Sequence, residues 1–140
     1  MAKSLFYRLF GFGKVPAPLM AELNGEGMVV FDEGIKGSVT YRDFAAPGKR
    51  FLWKRQGFAG SIALTKKRLV AVALSKFLIN VPLTDERLHK MNYSAEGNGA
   101  FCVAFDASLF HADWSGRIEY RFKTEEAKRL VEMLQTRSYA

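Results

Sequence analysis

Residues 60–69 read GSIALTKKRL: alternating apolar positions, a threonine, two lysines and an arginine, then apolar residues again. Taken as a patch, Lys66-Lys67-Arg68 is a basic binding site; taken as a turn, it joins two strands. The flanking residues favour the turn. Ile62 and Leu64 recur at the period of two that marks a half-buried strand, and Arg68 opens a second β-rich run, RLVAVA (68–73). Thr65 is suited to hydrogen-bond the turn backbone. Lys66 and Lys67 are then left as charges at the tip, too few to form a patch alone.

Working outward, the same period recurs on both sides. Upstream, MVVF (28–31) predicts a short strand ending at Asp32-Glu33-Gly34, and SVTYRDF (38–44) predicts another. Ala46-Pro47-Gly48-Lys49 suits a type II turn, because proline fixes the first central position and glycine accepts positive φ at the second. RFLWKR (50–55) follows, with Phe51 and Trp53 expected inward and Arg50 and Lys54 outward; Gly57 and Gly60 then loosen the chain before SIALT (61–65). Downstream, KFLINV (76–81) follows a tight turn at Leu74-Ser75, and both this run and RLVAVA are apolar on two faces, predicting cover on both sides. Asn98-Gly99 is the strongest hairpin signal, since both residues tolerate the positive φ of a type I′ turn; it joins MNYSA (91–95) to AFCVAF (100–105). RIEYRFK (117–123) points Ile118, Tyr120 and Phe122 inward, and Arg117, Glu119, Arg121 and Lys123 outward.

TEEAKRLVEMLQTR (124–137) predicts a helix. Thr124 is its N-cap, Glu125 and Glu126 complement the positive end of the dipole, and Ala127, Leu130, Val131 and Leu134 form one apolar stripe. In residues 1–15, Leu5, Phe6, Leu9 and Phe10 share one side of a short helix. That segment either packs on the domain, lies in a membrane interface or is a loose terminus; packing is favoured because the apolar face is short. Pro16-Ala17-Pro18 marks a linker, and Leu19 to Leu23 one helical turn.

These elements fit one domain, 25–140, behind an N-terminal segment and linker, 1–24, in a chain of 140 residues. The expected fold is mainly β: about seven strands in two roughly orthogonal antiparallel sheets, capped by one amphipathic C-terminal helix. One cysteine, Cys102, excludes an intrachain disulfide, and no run of 18 apolar residues predicts a membrane-spanning helix. With no secretory signal, the expected location is the cytoplasm. The net charge of +7 is uneven, with 12 Lys+Arg against 5 Asp+Glu in residues 1–70 and 9 against 9 in residues 71–140. That asymmetry points either to an anionic partner or to solubility alone.

Gly60-x-Ile62-x-Leu64-Thr65-x-x-Arg68-Leu69, followed by Ile79-x-Val81-Pro82-Leu83 and a terminal helix, resembles the signature of GRAM and bacterial pleckstrin-homology (PH)-like domains. The resemblance covers residues 27–136 as an order of elements, and only these two short motifs match in residue detail. The strands from Ser38 to Arg55 are longer than a minimal domain of this kind needs, and the segment before Gly25 has no counterpart. The resemblance implies two antiparallel sheets, a capping helix and a non-catalytic adaptor that binds a protein or an anionic phospholipid surface, peripheral at the inner membrane face in the lipid case; self-association through an exposed strand edge would fit the same role. The loop that carries basic residues in such domains corresponds to Ala45 to Lys49.

Around that loop, Arg42, Lys49, Arg50, Lys54 and Arg55 form the candidate anionic-ligand or partner site, with Lys66 and Lys67 as a smaller basic group. Nucleic acid is disfavoured, because Phe51 and Trp53 fall on the parity opposite Arg50 and Lys54. Asp106, His111, Asp113 and Trp114 lie at spacings that match no metal or catalytic motif, so no metal, no cofactor and no enzymatic activity are expected. The alternative function is a small hydrophobic-ligand carrier with a β-barrel-like cavity, suggested by 12 Phe residues.

Overall fold

The computed structural model describes residues 15–73, 76–97 and 99–138. The expected helix of Leu5, Phe6, Leu9 and Phe10, the Leu74-Ser75 turn and Asn98 lie outside them. The described chain is mainly β: seven antiparallel strands and a C-terminal helix, with one further helix before the first strand. These are α1 (Ala17–Glu26), β1 (Met28–Ala46), β2 (Lys49–Thr65), β3 (Arg68–Ala73), β4 (Lys76–Pro82), β5 (Asn92–Glu96), β6 (Ala100–Asp106), β7 (Ser115–Lys123) and α2 (Ala127–Ser138). The strands hydrogen-bond in the order β4-β3-β2-β1-β7-β6-β5.

Two expected breaks are absent. Asp32-Glu33-Gly34 does not end a strand, and Gly57 and Gly60 do not separate two; β1 and β2 are continuous strands of 19 and 17 residues, paired from Met28↔Thr65 to Ala46↔Lys49. The turn-like residues act inside the ladder instead. Gly34 takes φ of 69° beside a register shift between Glu33 and Ile35, so the glycine absorbs a β-bulge that bends the strand. Gly37 and Gly60 leave room for the Phe58 ring, which a Cβ on Gly37 would meet at 2.5 Å and one on Gly60 at 3.2 Å. That ring packs edge-on against Phe122.

The long hairpin serves two neighbours. β7 pairs with β1 over Gly37–Ala45, and β3 pairs with β2 over Gly60–Leu64. The main core lies under both, with Ile35, Ile62, Leu64, Phe101 and Phe122 fully buried. The helix stripe behaves as its spacing predicts: Ala127, Leu130 and Leu134 are buried, Val131 is partly so, and α2 packs on β5 and β6. Thr124 caps from just outside the helix, its Oγ1 accepting the Glu126 amide at 3.1 Å and donating to buried Asp32 at 2.8 Å.

A second, smaller core covers the other face of β2 and β3, where Leu23 of α1 meets Ala63, Val70 and Val72. RLVAVA is therefore covered on both sides, as its composition predicts. KFLINV is not: Ile79 and Val81 are buried, while Lys76, Asn80 and Phe77 (51% exposed) face outward. A register shift at Leu78, where Ala71 faces Ile79 but Val72 faces Phe77, turns Phe77 to the face opposite Ile79 and Val81, where it lines a shallow cleft with Pro18 and Leu19 of α1. The expected single turn at Leu19–Leu23 is a ten-residue helix that starts inside the expected linker. Pro18 fits its first turn, where a proline removes no helical hydrogen bond.

The turn that opened the sequence reading is the lock between α1 and the sheet. Thr65 Oγ1 accepts the amides of Lys67 (3.1 Å) and Arg68 (3.0 Å) and donates to Glu26 at 2.9 Å. Arg68 donates from Nε to Glu26 at 3.1 Å and from Nη1 to Asn80 at 3.1 Å, with Nη2 2.9 Å from the second Glu26 oxygen. Burial alone would raise the Glu26 pKa, but the bonds from Arg68 and Thr65 outweigh it and hold the carboxyl below its usual range. A depressed carboxylate stabilises the fold above its unfolded pKa, and that contribution fades as pH falls through the folded value. Arg68→Met is thus expected to cost about 1.5–3 kcal/mol near neutral pH. Urea midpoints measured from pH 7 to pH 3 should converge between variant and parent at the acid end; a constant gap would refute the Glu26 linkage.

Candidate functional site

The candidate surface is the free end of the β1–β2 hairpin. Its turn is Pro47-Gly48, and Gly48 takes φ of 77°, the positive value a type II turn requires at its second central position. Arg42, Lys49, Arg50, Lys54 and Arg55 are all exposed and all lie on this end. Lys66 and Lys67 are exposed too, but at the opposite end of β2, so the structure does not join them to the group. No aspartate or glutamate occurs in residues 44–84, against eight Lys+Arg.

The expected inward pair, Phe51 and Trp53, is divided. Phe51 is half-buried, 5.9 Å from the Phe44 ring and 5.5 Å from that of Tyr41. Trp53 points outward and is 56% exposed. The cause lies across the ladder. Phe44 faces Phe51 and Arg42 faces Trp53 in register, yet Phe44 is buried and Arg42 is exposed. Between them Asp43 has φ of 48°, the one positive value at a non-glycine among the described residues. This left-handed residue turns β1 so that successive same-parity side chains diverge. Gly116 of β7 accommodates the kink at φ of 95°; a Cβ there would sit 2.4 Å from the Asp43 carbonyl oxygen.

The result is a mixed surface. The Arg55 guanidinium lies 5.7 Å from the Trp53 ring centre while its Nε donates to Thr40 at 3.1 Å. Lys54 sits on the core side opposite Tyr41, its ammonium 4.4 Å from the Phe51 ring. Leu52 is 83% exposed at the tip. Arg117 of β7 stands in register with Arg42 on one side and with Asp106 of β6 on the other, so an opposite charge offsets the like pair.

Sequence reasoning missed Leu52 as a surface group and assigned Arg117 only a direction. A signal for Leu52 was present: three consecutive apolar residues, 51–53, cannot all face one side of a strand.

The loop after β6 closes against the same end. Trp114 stacks edge-on on Phe44 at 5.4 Å, and His111 lies flat on Trp114 at 3.7 Å with its carbonyl accepting the Trp114 amide. Asp106 and Asp113 are exposed, and among the described residues no group of three or more His, Cys, Asp or Glu is placed to hold a metal ion. Cys102 is buried, and burial, set against the nearby Arg121 charge, pushes its thiol pKa up. A cleft of about 220 Å³ is lined by Lys36, Ser38, Arg121 and Lys123, but Arg121 is already paired with Glu96 at 2.8 Å and Glu119 at 3.4 Å. No helix among the described residues is long and apolar enough to cross a membrane. Comparison with known proteins finds no family model and no curated sequence that matches this chain.

Proposed function

We propose that this chain is a non-catalytic interaction module of the PH/GRAM kind, which docks on an anionic membrane surface through the end of its β1–β2 hairpin. The order of elements, seven antiparallel strands in one hydrogen-bonded sheet followed by a C-terminal helix on β5 and β6, supports this reading. The observation that carries the membrane reading is the pairing of exposed Leu52 and Trp53 with Arg42, Lys49, Arg50, Lys54 and Arg55. Cations near an anionic leaflet contribute about 1 kcal/mol each, and a tryptophan is suited to the headgroup level, where its ring is apolar and its N–H stays wet. A peripheral place at the inner membrane face follows from this reading. For a small-ligand carrier the Phe content counts less, since Phe101 and Phe122 are fully buried core side chains.

Co-sedimentation with phosphatidylcholine vesicles, with and without phosphatidylserine, tests the proposal. Binding is expected only to the anionic vesicles and should weaken from low to physiological salt. No binding to them at either salt would overturn it.

A further inference from the structure

Among the described residues the β1–β2 hairpin carries a strand edge without a neighbour. β3 pairs with β2 only over Gly60–Leu64, so the segment from Arg50 to Phe58 is laddered to β1 alone among the described residues. No described backbone group outside β1 bonds to it. At ~3.4 Å per residue this edge offers ~30 Å of main chain. It contains no proline, and it includes exposed Leu52 and Trp53.

Lys54 guards this edge. It projects on the core side, over Phe51, and an inward lysine is a device by which edge strands resist pairing with one another. A second copy is a poor occupant. Antiparallel self-pairing centred on this segment sets Lys54 against its own copy, and shifted registers set Arg50 against Lys54 or Arg55, with no carboxylate in residues 44–84 to interleave; like charges directly opposite destabilise a ladder. The same charges favour a strand of opposite sign.

We propose that the free edge of β2, Arg50 to Phe58, accepts an extended, proline-free acidic segment of a partner protein as an added strand. Main-chain bonds supply the affinity in such additions and side chains on alternate faces the selectivity. Acidic residues of the guest meet Arg55 on one face and Lys54 on the other, and an apolar residue covers Trp53. This assignment stands on the ladder and the charges, and does not depend on membrane docking.

The test is a titration of the ¹⁵N-labelled full chain with an amidated nonapeptide of Val that carries Glu at the positions opposite Arg50, Lys54 and Arg55 in an antiparallel register. A second peptide carries Pro in place of each Val, keeping the charge but removing the ladder. Amide shifts are expected at 50–58 and their β1 partners, with the Pro peptide at least tenfold weaker and Lys54→Glu/Arg55→Glu lowering affinity at least tenfold. Equal affinity for both peptides, or shifts centred on Lys66 and Lys67, would overturn the proposal by reducing it to charge attraction. Binding to phosphatidylserine vesicles with no peptide binding also overturns it, while leaving the membrane reading intact; peptide binding without vesicle binding does the reverse.

Discussion

Gly116→Ala is expected to destabilise the protein by about 2–4 kcal/mol, through two effects that act together. Gly116 has φ of 95°, and an added Cβ would lie 2.4 Å from the Asp43 carbonyl oxygen and 2.7 Å from that of Arg42. Both obstacles are backbone, so no side chain can swing aside. Gly48→Ala is the matched control. It has φ of 77° but nothing within 4 Å of the added carbon, so only the conformational cost of about 1 kcal/mol applies. Urea unfolding of both variants at one pH separates the effects, since an unchanged m-value assigns a shift in midpoint to stability. If Gly116→Ala lost no more than Gly48→Ala, β7 would not press on the kink at Asp43. The account of why Phe44 turns inward and Trp53 outward would then fail with it.

That kink also explains what the sequence could convey. Period-two alternation located each strand, and the helix stripe of Ala127, Leu130 and Leu134 was legible because each element keeps one face on a core. The two strand ends expected at Gly34 and Gly57 were misplaced because glycine serves both turns and bulges, and only the partner strand decides between them. The cations of the hairpin end were legible by their number. Their grouping was not, since Lys66 and Lys67 form the turn after β2, at the end of that strand away from Lys49 and Arg50. Trp53 was misdirected for a sharper reason. Parity counted along β2 assumes a straight partner, and one left-handed residue in β1 was enough to part it from Phe51.

Lys49→Glu/Arg50→Glu is expected to abolish binding to anionic vesicles while leaving the fold intact. Both side chains are exposed, and exposed substitutions away from caps and buried pairs change stability by about 0.5 kcal/mol or less. Each reversal removes one attraction of about 1 kcal/mol and adds a comparable repulsion, so the pair should cost about 4 kcal/mol, or about a thousandfold in affinity. Leu52→Ala/Trp53→Ala acts on the other component. It removes apolar area worth about 1.5–3 kcal/mol per fully buried side chain, a loss that salt does not screen. The two double variants therefore differ in kind. Raising salt should weaken the parent and the Leu52/Trp53 variant in parallel, whereas the charge-reversed protein should show little residual binding to lose. Vesicle affinity measured across ionic strength distinguishes them. If reversal at residues 49 and 50 left the affinity unchanged, the hairpin end would not be the membrane contact, whatever else on the surface is basic.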